Sequence, residues 1–173
     1  MQPTFSSSRI LLPVRPWFII LSLFVALLMN FLPTSHWPGI PDWAALVLCF
    51  WSIRESRRVG MGWAFVLGLA MDVADGAVLG QHCFAYILLA YAAAAQSRRI
   101  LWFPIGQQAL QILPLLIGCQ VIQLTMRLMT GADFPGWGFL IGPFIAAFLW
   151  IPATFLLLLP QYQPVERDEN RPL

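Results

Sequence analysis

The sequence predicts an all-α integral membrane protein, a bundle of six transmembrane helices with both chain ends in the cytoplasm. Composition gives the first reason. Of 173 residues, 59% are hydrophobic and 10% are charged, and the mean hydropathy is +0.72. A soluble domain carries about a quarter charged residues, because its surface meets water. A chain this short cannot place so much apolar surface in an interior, so the remainder is expected to face lipid. The other two reasons are the grouping of apolar residues into six runs and the spacing of the arginines between them.

The runs are Trp17–Leu32, Trp37–Ile53, Val59–Met71, Cys83–Ala95, Ala109–Met129 and Gly138–Leu159. The fifth and sixth reach the ~20 residues that cross ~30 Å of hydrocarbon. The second, third and fourth have shorter apolar cores and must use polar residues at their ends or re-enter the membrane. The stretch 59–96 has room for two spans of about 19 residues, at ~1.5 Å per residue, with a turn at Asp75-Gly76 between them. The first run follows Arg9 and Arg15 but has no small-residue cleavage signal after it, so it reads as a retained helix. Residues 1–160 form one membrane domain in this reading, and the polar tail 161–173 is disordered in the cytoplasm.

The arginines fix the orientation. Lys and Arg near span ends resist translocation and collect on the cytoplasmic side. Arg9 and Arg15 precede the first run, Arg54, Arg57 and Arg58 follow the second, Arg98 and Arg99 follow the fourth, and Arg167 and Arg171 lie in the tail. With six spans, nine of the ten arginines share one side and only Arg127 lies opposite. Five or seven spans break the pattern. Trp17, Trp37, Trp43, Trp63, Trp102 and Trp137 sit near run ends, where an indole prefers the headgroup layer.

Several function classes find no support. The net charge of +2 comes from scattered arginines without a single lysine, which is no nucleic-acid footprint. Cys49, Cys83 and Cys119 lie inside apolar runs at no metal-binding spacing and read as small buried hydrophobes. No zinc-protease, diphosphate or G-x-S-x-G motif occurs, so neither an enzyme nor a cofactor is expected.

The candidate residues are polar groups at the ends of the apolar runs. Gly60, Ala64, Gly68 and Asp72 recur at every fourth position and form one small-residue stripe that leads to a carboxylate. Two readings of Asp72 stand. An acid at a span end is a functional candidate by default. The plainer reading makes it a cap of the next helix, with Asp75-Gly76 a simple turn. His82 and Tyr86 form an i, i+4 pair, and a histidine there is more often a hydrogen-bonded packing residue than a ligand. Gln120, Gln123 and Arg127 share one helical face, with Gln107 and Gln111 on another. The amides either bond across helices or line a polar cavity, and Arg127 snorkels outward. Arg54, Arg57 and Arg58 fix topology and meet anionic lipid, or they form a docking surface for a cytoplasmic partner.

Pro41-Asp42 opening the second span, arginines at its inner end, and then Gly68, Asp72, Gly76 and Leu79-Gly80 form an order that resembles the MreD family. That resemblance implies a non-enzymatic inner-membrane subunit of the bacterial rod-shape system. It would scaffold MreC and, through it, MreB and the RodA-type peptidoglycan polymerase with its penicillin-binding partner. It also implies a fold similar to the S-components of energy-coupling-factor transporters, so a small-molecule transport subunit is the competing reading. The resemblance singles out Asp42, Gly68, Asp72 and Gly80 and brings no catalytic residue.

Overall fold

Prolines and polar caps, more than hydropathy, decide where the helices begin. The computed structural model describes residues 14–32, 39–76 and 78–161, which hold six α-helices. They are α1 (Pro16–Asn30), α2 (Trp43–Arg54), α3 (Met61–Ala74), α4 (Gln81–Leu101), α5 (Ile105–Met129) and α6 (Gly142–Leu158). A 3-10 turn, Trp137–Ile141, leads into α6, and another, Leu159–Gln161, follows it. Arg9, Trp37, Arg167, Arg171 and all of the tail beyond Gln161 lie outside the described residues.

Four boundaries differ from the apolar runs by four residues or more. The second run starts at Trp37, but residues 39–42 are non-helical and α2 starts at Trp43, directly after the Pro41-Asp42 pair expected to open the second span. Pro41 disfavours helix before it, and the Asp42 carboxylate accepts the Ala45 N–H as an N-cap. The fourth run was expected to end at Ala95, yet α4 continues through Arg98 and Arg99 in its last turn. Cations there complement the helix dipole, which polarity alone conceals. α5 starts at Ile105, four residues before Ala109, with Pro104 as its N-cap, and α6 starts at Gly142, after Gly138, with Pro143 in its first turn. Gln161, assigned to the tail, closes the last 3-10 turn and is buried.

α2 is the centre of the bundle. Every residue from Ala44 to Ile53 except Val47 is buried. Its twelve residues rise only ~18 Å, less than the ~30 Å hydrocarbon layer. Trp51 and Phe50 pack edge to face at 5.0 Å, Phe50 meets Trp150 of α6 at 5.6 Å, and Phe18 of α1 meets Trp51 at 6.2 Å. The buried Trp51 indole donates to Ser22 Oγ at 2.8 Å, so α1 satisfies the polar atom of the core helix. α4 packs against α3, α2 and α5, and α6 packs on α5.

The small-residue stripe holds for three of its four members. A Cβ on Gly68 would lie 2.6 Å from the Cys83 nitrogen and 2.8 Å from the His82 carbonyl carbon, so α3 and α4 touch backbone to backbone there. Ala64 and Asp72 are buried beside it. Gly60 does not belong. It precedes α3 as its N-cap, and a Cβ there would meet nothing nearer than Ser56 O at 3.9 Å.

The outward surfaces are apolar. Phe24, Val66, Leu110, Phe148 and Leu156 are all exposed. α5 and the Trp137–Gln161 unit, 25 residues each, are long and apolar enough to cross a membrane. Only 28% and 39% of their apolar windows are buried, which a helix in the core of a soluble protein would not show.

Candidate functional site

The alternating helices bring polar residues to one end of the bundle and arginines to the other. At the first end lie the C-terminal ends of α1, α3 and α5 and the starts of α2, α4 and α6. Among the described residues, Arg15, Arg54, Arg57, Arg58, Arg98 and Arg99 lie at the opposite end. Thus Arg54, Arg57 and Arg58 are not brought together with the other candidates. Arg58 donates to Val14 O at 2.7 Å, and Arg54 stands over the Phe50 ring at 5.2 Å.

Two carboxylates organise the polar end. Asp42 caps α2 and also collects donors from three other helices. Asn30 Nδ2 of α1 donates at 2.8 Å, the Tyr86 hydroxyl of α4 reaches its two oxygens at 2.8 and 2.7 Å, and Gln123 Nε2 of α5 lies at 3.4 Å. Asn30 Oδ1 in turn accepts the Trp43 N–H at 2.9 Å. One side chain therefore ties four helices, and the buried Tyr86 hydroxyl depends on it.

Asp72 does for α4 what Asp42 does for its own helix, from a distance. Its Oδ2 accepts the Gly80 N–H at 2.8 Å and the Cys83 N–H at 3.4 Å. Its Oδ1 accepts the His82 N–H at 2.8 Å and faces His82 Nδ1 at 2.9 Å. Helix starts leave such N–H groups unpaired, and a carboxylate is acceptor-only, so Nδ1 carries the ring hydrogen. Gly80 holds φ +107°, a left-handed conformation that lets its N–H turn toward Asp72 and that a side chain would strain.

His82 continues the chain of contacts. Its Nε2 faces Asp75 Oδ2 at 3.7 Å, and its ring meets Tyr86 edge-on at 6.0 Å. Asp75 is thus more than a turn residue, with its side chain 45% exposed. Asp42, Asp75, His82, Gln120, Gln123 and Arg127 line a common cavity of about 830 Å³. Gln120 Nε2 donates to Phe139 O, closing the α5–α6 connection over it. Arg127, expected to snorkel outward, donates its Nε–H to Asp133 O of the α5–α6 connection at 3.2 Å in an exposed contact, and it also lines the cavity.

Asn30 and Gln108 escaped the sequence reading. Asn30 is a polar residue at the end of an apolar run, which is the signal that marks it. Gln108, beside the exposed Gln107 and half-buried Gln111, is the amide of that segment that points inward, donating to Phe103 O at 2.8 Å. Among the described residues, no three His, Cys, Asp or Glu side chains gather as metal ligands. Among the described residues that line the cavity, Asp75, Gln81, Gln120, Gln123 and Arg127 have hydrogen-bonding capacity to spare.

Comparison with known proteins adds identity to this geometry. The family described as rod shape-determining protein MreD matches residues 9–159. A relative from Haemophilus influenzae, named rod shape-determining protein MreD, is 31% identical over 154 residues, covering 84% of this chain and 91% of the relative. No solved structure matches.

Proposed function

This chain belongs to the MreD family of rod shape-determining proteins, and from that premise we propose that it is a non-enzymatic, multi-pass subunit of the bacterial inner membrane that scaffolds the cell-elongation complex. The family match over residues 9–159 is the observation that carries this reading. Its immediate partner in the proposal is MreC, and the links to MreB and to the RodA-type polymerase with its penicillin-binding protein run through MreC.

The arrangement in the membrane is part of the same proposal. The arginine end faces the cytoplasm, together with both termini, and the carboxylate end faces outward. The segregation of Arg15, Arg54, Arg57, Arg58, Arg98 and Arg99 from Arg127 supports this. So do the exposed apolar faces and the exposed Trp17 and Trp102 at one end with Trp137 at the other.

A second reading, a small-molecule-binding subunit of a transporter, is favoured by one observation, the cavity at the polar end. One experiment separates the two. An affinity-tagged copy that restores rod shape to a depletion strain is purified from solubilised membranes. Enrichment of MreC in equal amounts supports the scaffold. A shape-restoring copy that enriches no MreC overturns it. Reporter fusions at Gly39, Gly76 and Asp133 should read outside and one at the C-terminus inside. An inside signal at Gly76 breaks the six-span arrangement.

A further inference from the structure

The cavity is lined by opposite charges that make no ion pair with each other among the described residues. Asp75 at the α3–α4 turn and Arg127 on α5 both line it, as does Asp42, whose oxygens already accept from Asn30 and Tyr86. Among the described residues, the one ion pair of Asp75 is to His82 at 3.7 Å, and Arg127 makes none. Arg127 donates its Nε–H to Asp133 O, a bond that does not use its terminal nitrogens. Gln81, Gln120 and Gln123 line the same cavity, and the Gln120 nitrogen is already committed to Phe139 O, so its oxygen is the free acceptor.

We propose that this cavity binds a small zwitterion, with its ammonium against Asp75 and its carboxylate against Arg127. A volume of about 830 Å³ falls in the 300–1,000 Å³ range typical of small-molecule sites. The charges select the class. A simple anion would satisfy Arg127 but meet the charge of Asp75, whose contact with His82 is long at 3.7 Å. A simple cation would do the reverse, and an apolar guest would desolvate both charges without pairing either. A zwitterion pairs both, and its intervening atoms meet the amides. The inference goes beyond the scaffold reading and does not depend on it.

The test uses the full-length chain in nanodiscs and a homologous series of probes, from 4-aminobutanoate to 8-aminooctanoate. Hexanoate and hexylamine serve as single-charge controls. One length in the series is expected to raise the thermal midpoint and to bind at least about tenfold more tightly than either control. D75N should reduce that affinity to the level of the carboxylate control, and R127Q to the level of the amine control, with ligand-free midpoints unchanged. A third measurement needs neither charge variant: in a Gln81→Cys chain, the same zwitterion should slow maleimide labelling. The proposal is overturned if no length binds better than the controls. It is equally overturned if binding ignores both substitutions, or if labelling at position 81 is blocked by co-expressed MreC and not by any zwitterion. That last outcome would make the cavity a protein-docking surface.

Discussion

The two ends of this bundle handle charge in opposite ways. At the arginine end the charged groups are exposed or half-buried; Arg58, for example, has Val14 O at 2.7 Å and Glu55 at 3.8 Å. At the carboxylate end Asp42 and Asp72 point inward, and each is shared. Asp42 serves four helices, and Asp72 holds the first turn of a neighbour. An outward charge is solvated whatever its neighbours do, so it can be exchanged at small cost. An inward carboxylate is tolerable only while its donors stay in place, and those donors are stranded if it goes. Stability should therefore be lopsided along the bundle axis.

The strongest way to break that contrast is Asp42→Leu. It removes the acceptor for Asn30, Tyr86 and the α2 N-cap at once and leaves a buried phenol unpaired. The expected loss is about 3–5 kcal/mol, read as a collapse of the thermal midpoint and of membrane abundance. Retention of both would mean the four-helix tie is dispensable. Gly68→Leu comes next. Its new side chain meets α4 backbone, which cannot yield as a side chain can, so about 3 kcal/mol is expected. Gly60→Ala is the control, with open space and no measurable change.

Asp72→Asn sharpens the comparison more finely. A simple cap would accept asparagine almost freely, but here both oxygens accept N–H groups. Asparagine keeps one acceptor and aims an NH₂ at donors on the other side. A loss of about 1–2 kcal/mol is expected, larger for Asp72→Leu. An asparagine variant with unchanged stability but lost shape rescue would move the residue from architecture to partner or ligand contact. The smallest effect belongs to the other end. Arg58→Gln should cost about 0.5 kcal/mol or less, given its exposure, and a larger drop would erase the asymmetry.

The helical class, the apolar character and the sorting of arginines were legible because each is a local or periodic property of the chain. The boundaries were less so. Hydropathy started the second apolar run at Trp37 because Trp and Ile are apolar in any conformation, while the Pro41-Asp42 pair, expected to open the span, marks the helix start at Trp43. Gly60 fitted the i+4 stripe by register alone and fell outside it, because the helix begins one residue later.

The sequence by itself determined which residues had to avoid water and which end of each run carried charge, since composition and spacing are written along one dimension. Only the tertiary structure decided who bonds to whom. Asp42 and Tyr86 meet at 2.7 Å, and Asp42 and Gln123 at 3.4 Å, across separations that no window of sequence spans. The contacts of Arg127 were decided the same way. A lone arginine near a helix end snorkels toward water, but which carbonyl it meets there, that of Asp133, and the cavity it lines come from how the α5–α6 connection and the neighbouring helices fold around it.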